Sequence, residues 1–174
     1  MINFETRIIN PAYWFTQSWQ LFEASKANYE LFESMGRIYS EKDNHRKVGL
    51  MNSTMLLLGL ATENALKGAL VFKSKPELKN DKLNPKHFHE FAHELSEVVE
   101  KLDLNISTQE QELIDRLSMF VQWSAKYQTP LRKVDYEQSQ GMQRLNYPRD
   151  FIMAEKLINL LQSQSGYTEN SGWK

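Results

Sequence analysis

The chain has 174 residues, 41% of them apolar and 25% charged, which is ordinary globular usage, outside the low-hydrophobicity regime of disorder and within the size of one domain. It has no cysteine, which excludes disulfides, thiolate nucleophiles and cysteine-bound zinc and fits a reducing, cytoplasmic setting. With 21 basic and 22 acidic residues the net charge is -1, so nothing draws the whole molecule to a polyanion and any nucleic-acid contact requires a local basic patch.

The first residues, MINFETRIIN, lack a basic stretch followed by a long apolar one, so no secretory leader is expected. Asn10 followed by Pro11 reads as a helix start, with proline where its missing N–H is harmless. Phe15, Trp19, Phe22, Tyr29, Phe32 and Tyr39 recur at mostly helical spacing, which predicts an aromatic, core-facing helix to about Ser40. The polar segment Glu41 to Lys47 is expected to turn. From Val48 to about Phe72 the residues are apolar around much of the circumference, the pattern of a helix at the centre of a bundle. Gly59, Ala61, Ala65, Gly68 and Ala69 would let neighbours approach it closely. Its longest apolar run, Met55 to Leu60, falls short of the roughly 20 apolar residues of a membrane span, so no membrane association is expected.

After a lysine-rich connection, Asn84-Pro85 repeats the helix start, and Phe88, Phe91, Leu95, Val98 and Leu102 predict a helix through Leu102. Ser107 and Glu110 have capping-box spacing before a helix running to about Tyr127. Gln128 to Asn146 is polar and contains Pro130 and Gly141, which implies either a short additional helix or a functional flap. A last helix is expected from Pro148 to about Gln162, followed by a frayed, flexible tail over 163–174. No segment alternates with period two. The expectation is an all-α, up-and-down helical bundle of about five helices in a single domain, residues 1–162.

His89-Glu90-Phe91-Ala92-His93 matches H-E-x-x-H, the spacing that sets two imidazoles on one helical face beside a glutamate base to bind zinc. Against a zinc hydrolase stands the third ligand. No histidine follows His93, and Glu110 or Glu112 would have to serve. Measured from the apolar arc of the predicted helix, His89 and His93 project away from the core, as solvent-flanking histidines also do. No metal or other cofactor is therefore assigned.

Three further segments are similar, in this order, to motifs of the HEPN superfamily (higher eukaryotes and prokaryotes nucleotide-binding). Leu58 to Leu70 resembles its small-residue helix, with Glu63 and Lys67 one turn apart; Ala92-His93-Glu94-Leu95 resembles its Gly-His-Asp-Leu turn. Trp123-Ser124-Ala125-Lys126-Tyr127-Gln128-Thr129-Pro130 resembles its Trp-x-x-Arg-Tyr-Pro-x-Pro ending. The resemblance spans about residues 10 to 162 and implies an RNA- or nucleotide-associated bundle, in a bacterial stress or defence setting, that often forms homodimers. Active ribonucleases of the superfamily carry an Arg followed after four to six residues by a His. Here all four histidines lie at or before position 93, and Arg37 precedes His45 by one residue too many. Lys126 stands where the third motif has Arg, keeping charge without the bidentate fork. The implied activity is binding of RNA, a nucleotide or a protein partner without catalysis. Its groove would be lined by Glu63, Lys67, His93, Lys126, Tyr127 and Arg132, with Lys133, Arg144 and Arg149 nearby. The alternatives are the zinc hydrolase and a purely structural, dimerising protein.

Overall fold

The computed structural model describes residues 3–78, 80, 82–88 and 93–173, and among these the protein is all-α apart from one two-stranded hairpin. A short helix α1 (Phe4–Ile9) leads into α2 (Pro11–Ser34), whose start is fixed as expected by the Asn10 side chain accepting from the Ala12 N–H at 2.9 Å. α2 stops before Ser40. Gly36, with φ +60°, takes the left-handed backbone that ends the helix cheaply. The segment Glu41 to Lys47 is not a turn but the beginning of α3 (Glu41–Ser74). Ser40 accepts from the Asp43 N–H at 3.1 Å, and Glu41 and Asp43 sit in the first turn, where the helix dipole favours acid. The polarity of that stretch reflects solvent exposure.

The helix expected from Asn84 to Leu102 is also interrupted. Its described parts are a single 3-10 turn, Pro85–His87, and α4 (Leu95–Leu102); between them His93 is left-handed at φ +64° and Glu94 is extended. α5 (Thr108–Met119) opens on the complete capping box of Ser107 and Glu110. It then widens into a π-turn, Phe120–Ser124, instead of continuing as α-helix to Tyr127. A short α6 (Lys133–Gln138) occupies the 128–146 connection, and α7 (Arg149–Gln164) comes next. The described part of the 163–174 tail holds a hairpin. β1 (Tyr167–Thr168) and β2 (Gly172–Trp173) pair antiparallel, and Trp173 stacks on Phe15 with ring centroids 5.3 Å apart.

α3 is the central element, packed by α2, α4, α5, α7 and the π-turn. By length and composition it contains a stretch apolar enough to cross a bilayer, with mean hydropathy 1.4, although its longest unbroken apolar run is short; 67% of that window is buried inside the protein, as in a core helix. Two glycines set its spacing. A Cβ on Gly59 would stand 2.5 Å from Val121 Cγ2 and 3.2 Å from the Leu117 carbonyl oxygen, and one on Gly68 would stand 2.9 Å from Trp14 Cβ. Behind α3, the buried Arg116 guanidinium grips Asp150 through two hydrogen bonds of 2.7 Å. It also donates to the Arg144 carbonyl at 2.9 Å, tying the end of the 128–146 connection and α7 to α5.

Gly59→Ala should destabilise the protein by about 1–3 kcal/mol in urea unfolding, because overpacking against Val121 and the Leu117 backbone outweighs alanine's better helix propensity of about 1 kcal/mol. A neutral or stabilised variant would mean that the π-turn is free to retreat from α3.

Candidate functional site

One turn beyond Gly59 on α3 lies Glu63, and one turn further Lys67, so the three share a face. Glu63 is 2% exposed. Its Oε1 lies 2.6 Å from Lys67 Nζ, and His93 Nδ1 lies 3.0 and 3.1 Å from the two carboxylate oxygens. A carboxylate only accepts, so Nδ1 carries the proton and donates. Burial pushes the Glu63 carboxyl up, but the His93 hydrogen bond together with the charge and hydrogen bond of Lys67 outweighs it and holds the group below its ordinary 4.5.

The surrounding chain explains this convergence. Lys67 Nζ also lies 5.1 Å from the Phe88 ring centroid, and that ring tilts against Trp14 at 5.4 Å. Lys101 donates to the Lys86 and His87 carbonyls at 3.2 Å, holding the 3-10 turn, while Lys73 donates to the Lys101 and Leu102 carbonyls at the end of α4. The left-handed backbone of His93 lets the chain break direction between this turn and α4. Histidine is among the residues that tolerate it better.

The other expected site residues lie elsewhere. Tyr127 and Arg132 line a cavity of about 530 Å³ with Glu94, Gln122, Trp123 and Leu131. A second cavity of about 280 Å³ shares Glu94, Gln122, Trp123 and Asp135 with the first and adds Asp115 and two methionines, Met119 and Met142. The junction is built by the π-turn, whose extra residue rotates the downstream side chains by about 100° around the axis. Gln122 donates to Glu94 at 2.8 Å. Glu94, the neighbour of His93, thus adjoins both regions. Lys126 is exposed, and no hydrogen bond or ion pair among the described residues joins its side chain to Glu63, Lys67, His93 or any other group.

Most of the basic residues are already engaged. Arg132 forms a bidentate pair with Asp135 at 2.6 and 2.8 Å, Lys133 lies 3.4 Å from Glu137, and Arg144 donates to the Gly141 carbonyl at 3.0 Å. With the Asn146 amide turned to accept, Arg149 lies 3.3 Å from its oxygen.

Of the H-E-x-x-H string only His93 is described; His89, Glu90, Phe91 and Ala92 lie outside the described residues. The left-handed His93 and extended Glu94 do not continue a helix, so the helical periodicity that would put both imidazoles on one face fails at its second member. Among the described residues, no group of three or more potential ligands could hold a metal ion. Sequence reasoning missed Glu94, Gln122, Asp115 and Asp135. Glu94 figures in the sequence only as a member of the Ala92-His93-Glu94-Leu95 motif, the other three belong to no pattern, and the four come from separate elements that only the tertiary fold brings together. The chain matches no family model, no curated protein and no solved structure.

Because Glu63 titrates below its ordinary value, its ion pair stabilises the fold fully above about pH 4.5 and the contribution is lost as pH falls through the folded-state value. Glu63→Gln should therefore lower stability at neutral pH by about 1–3 kcal/mol. In urea titrations at several pH values, the gap from the parent should close on acidification; a gap independent of pH would contradict the ionised cluster.

Proposed function

We propose that the protein is a non-catalytic, HEPN-like helical binding module whose ligand is a protein partner. The observation that carries this reading is the neutralisation of three of the cations expected to hold phosphate. Lys67 is paired with Glu63, Arg132 with Asp135 and Lys133 with Glu137, each within 3.4 Å. Ammonium and guanidinium groups committed to carboxylates release few counterions from a nucleic acid, which is where most of such affinity originates. The same stretch of chain exposes Tyr127, Leu131, Val134 and Tyr136, apolar surface of the kind that partners cover.

The HEPN-like assignment draws support from the helix order. α2, α4, α5 and α7 all pack against α3, and the Glu63–Lys67 pair of the first motif meets His93 of the second at hydrogen-bond distance. The catalytic Arg and His of the superfamily's ribonucleases have no counterpart in the sequence. The absence of cysteine favours the cytoplasm, and the resemblance favours a homodimer.

Three measurements test the reading. In anisotropy at low salt, labelled single-stranded RNA and ATP should show no saturable binding tighter than about 1 mM, a binding free energy of roughly -4 kcal/mol. A display library of random linear peptides should yield reproducibly enriched sequences. Micromolar RNA binding that falls steeply with salt and disappears in Lys126→Ala would overturn the proposal in favour of a nucleic-acid ligand. Purified protein should carry less than about a tenth of an equivalent of zinc, with no hydrolysis gained on adding it; a full equivalent would restore the zinc hydrolase.

A further inference from the structure

Resting on the partner-protein reading, we propose that the two adjoining cavities at the π-turn receive a lysine or arginine side chain of the partner polypeptide. The partner's main chain would lie across Trp123 and Leu131.

Size and charge point the same way. The larger cavity, about 530 Å³, falls within the ordinary range of ligand pockets. Three carboxylates, Glu94, Asp115 and Asp135, line the pair of cavities, against one cation, Arg132. That guanidinium is spent on Asp135 through a bidentate contact. The remaining field repels a phosphate and attracts an ammonium or guanidinium group. Gln122 and the Ser96–Gln111–Asp115 hydrogen bonds, 2.7 to 3.1 Å long, hold Glu94 and Asp115 in place without supplying positive charge. Met119 and Met142 give the smaller chamber a soft wall suited to the aliphatic stem of such a side chain.

The aromatic wall supports the same occupant independently. Four rings of this fold already carry one of its own cations: Arg7 over Tyr13, Lys26 over Phe22, Lys47 over Phe32 and Lys67 over Phe88, all within 5.6 Å. Trp123 and Tyr127 have no such cover among the described residues. The indole N–H groups of Trp14 and Trp19 are bonded to Ile8 O and Gln162 Oε1. That of Trp123 has no acceptor among the described residues and is open to one supplied from outside, which a peptide carbonyl provides and a free polyamine does not. Leu131, 100% exposed at the cavity lining, gives the residues flanking the inserted side chain an apolar seat. These last two features select a polypeptide over a small cation.

The test uses the peptides enriched by display on the full-length chain. The expected sequences share a lysine or arginine flanked by apolar residues. A synthetic peptide from this set should perturb tryptophan fluorescence and bind about tenfold or more weakly when its basic residue is replaced by norleucine. Glu94→Gln, which keeps an oxygen for Gln122, should weaken binding by a similar factor, as should Trp123→Phe to a smaller degree. Thermal melts should confirm that both variants fold. Equimolar spermidine should not displace the peptide. If enriched peptides bind equally with norleucine, or if Glu94→Gln and Asp115→Asn both leave affinity unchanged, the cation site is wrong while the partner reading stands. Displacement by spermidine would mean that a small polyamine, not a peptide, is the occupant and would likewise overturn the site. If no peptide is enriched at all, the partner reading falls and this site with it.

Discussion

The architecture depends on a missing side chain. With nothing beyond Cα at Gly59, the π-turn can rest directly on α3, close enough that a methyl group would stand 2.5 Å from Val121. Gly68 repeats the arrangement nine residues on, against Trp14 and Phe15 of α2. Between these two contacts α3 is enclosed on several sides, and Glu63 and Lys67 occupy the interval. The same seating of the π-turn carries Gln122 and Trp123 to the junction of the two cavities. Packing in the core and the chemistry at the surface are thus consequences of one close approach.

Two buried carboxylates organise the rest, in different ways. Asp150 and Arg116 are sealed, and their fork also holds the Asn146 N–H at 2.7 Å and the Arg144 carbonyl, so their work is to fasten chain to chain. An unpaired charge there would be severely destabilising, which makes such a pair hard to change one residue at a time. Glu63 is equally buried, yet its partners open outward: the Lys67 side chain is 15% exposed and that of His93 38%. Burial of the anion with partial exposure of its cationic and imidazole partners leaves the cluster accessible from one side. That asymmetry distinguishes a candidate site from a structural bolt.

Much of the helical order was legible because helix starts are written in short range. Asn10-Pro11 and the Ser107–Glu110 box cap their helices as read, and the apolar circumference of residues 48–72 corresponds to the core of α3. What periodicity could not reveal was where a helix changes type or breaks. Nothing in Phe120 to Ser124 announces an extra residue in the turn, and the left-handed backbone at His93 falls inside an apolar pattern that continues on either side of it. The hairpin at the end was hidden for another reason. It rests on the core through Trp173 lying on Phe15, a contact between residues far apart in sequence. The Glu63–Lys67 pair was visible as a spacing of four, whereas the carboxylates around Trp123 belong to separate elements and form a site only through tertiary placement.

The α2–α3 hairpin outreaches its support. α7 and the residues just before it brace α2 as far as Tyr29, where Tyr147 stacks on the ring at 4.2 Å and Phe151 tilts against it at 5.8 Å. Beyond that level, among the described residues, the two helices are joined by the Lys47 ammonium, on the Gly36 carbonyl at 2.8 Å and 5.0 Å from the Phe32 ring, while Leu31, Ile38, Tyr39 and Val48 face solvent. A beam clamped at one end loses its rigidity from the tip inward. Within this hairpin, amide protons near the 35–40 corner should therefore exchange first and those flanking Gly59 last, a gradient of local unfolding along α2 and α3.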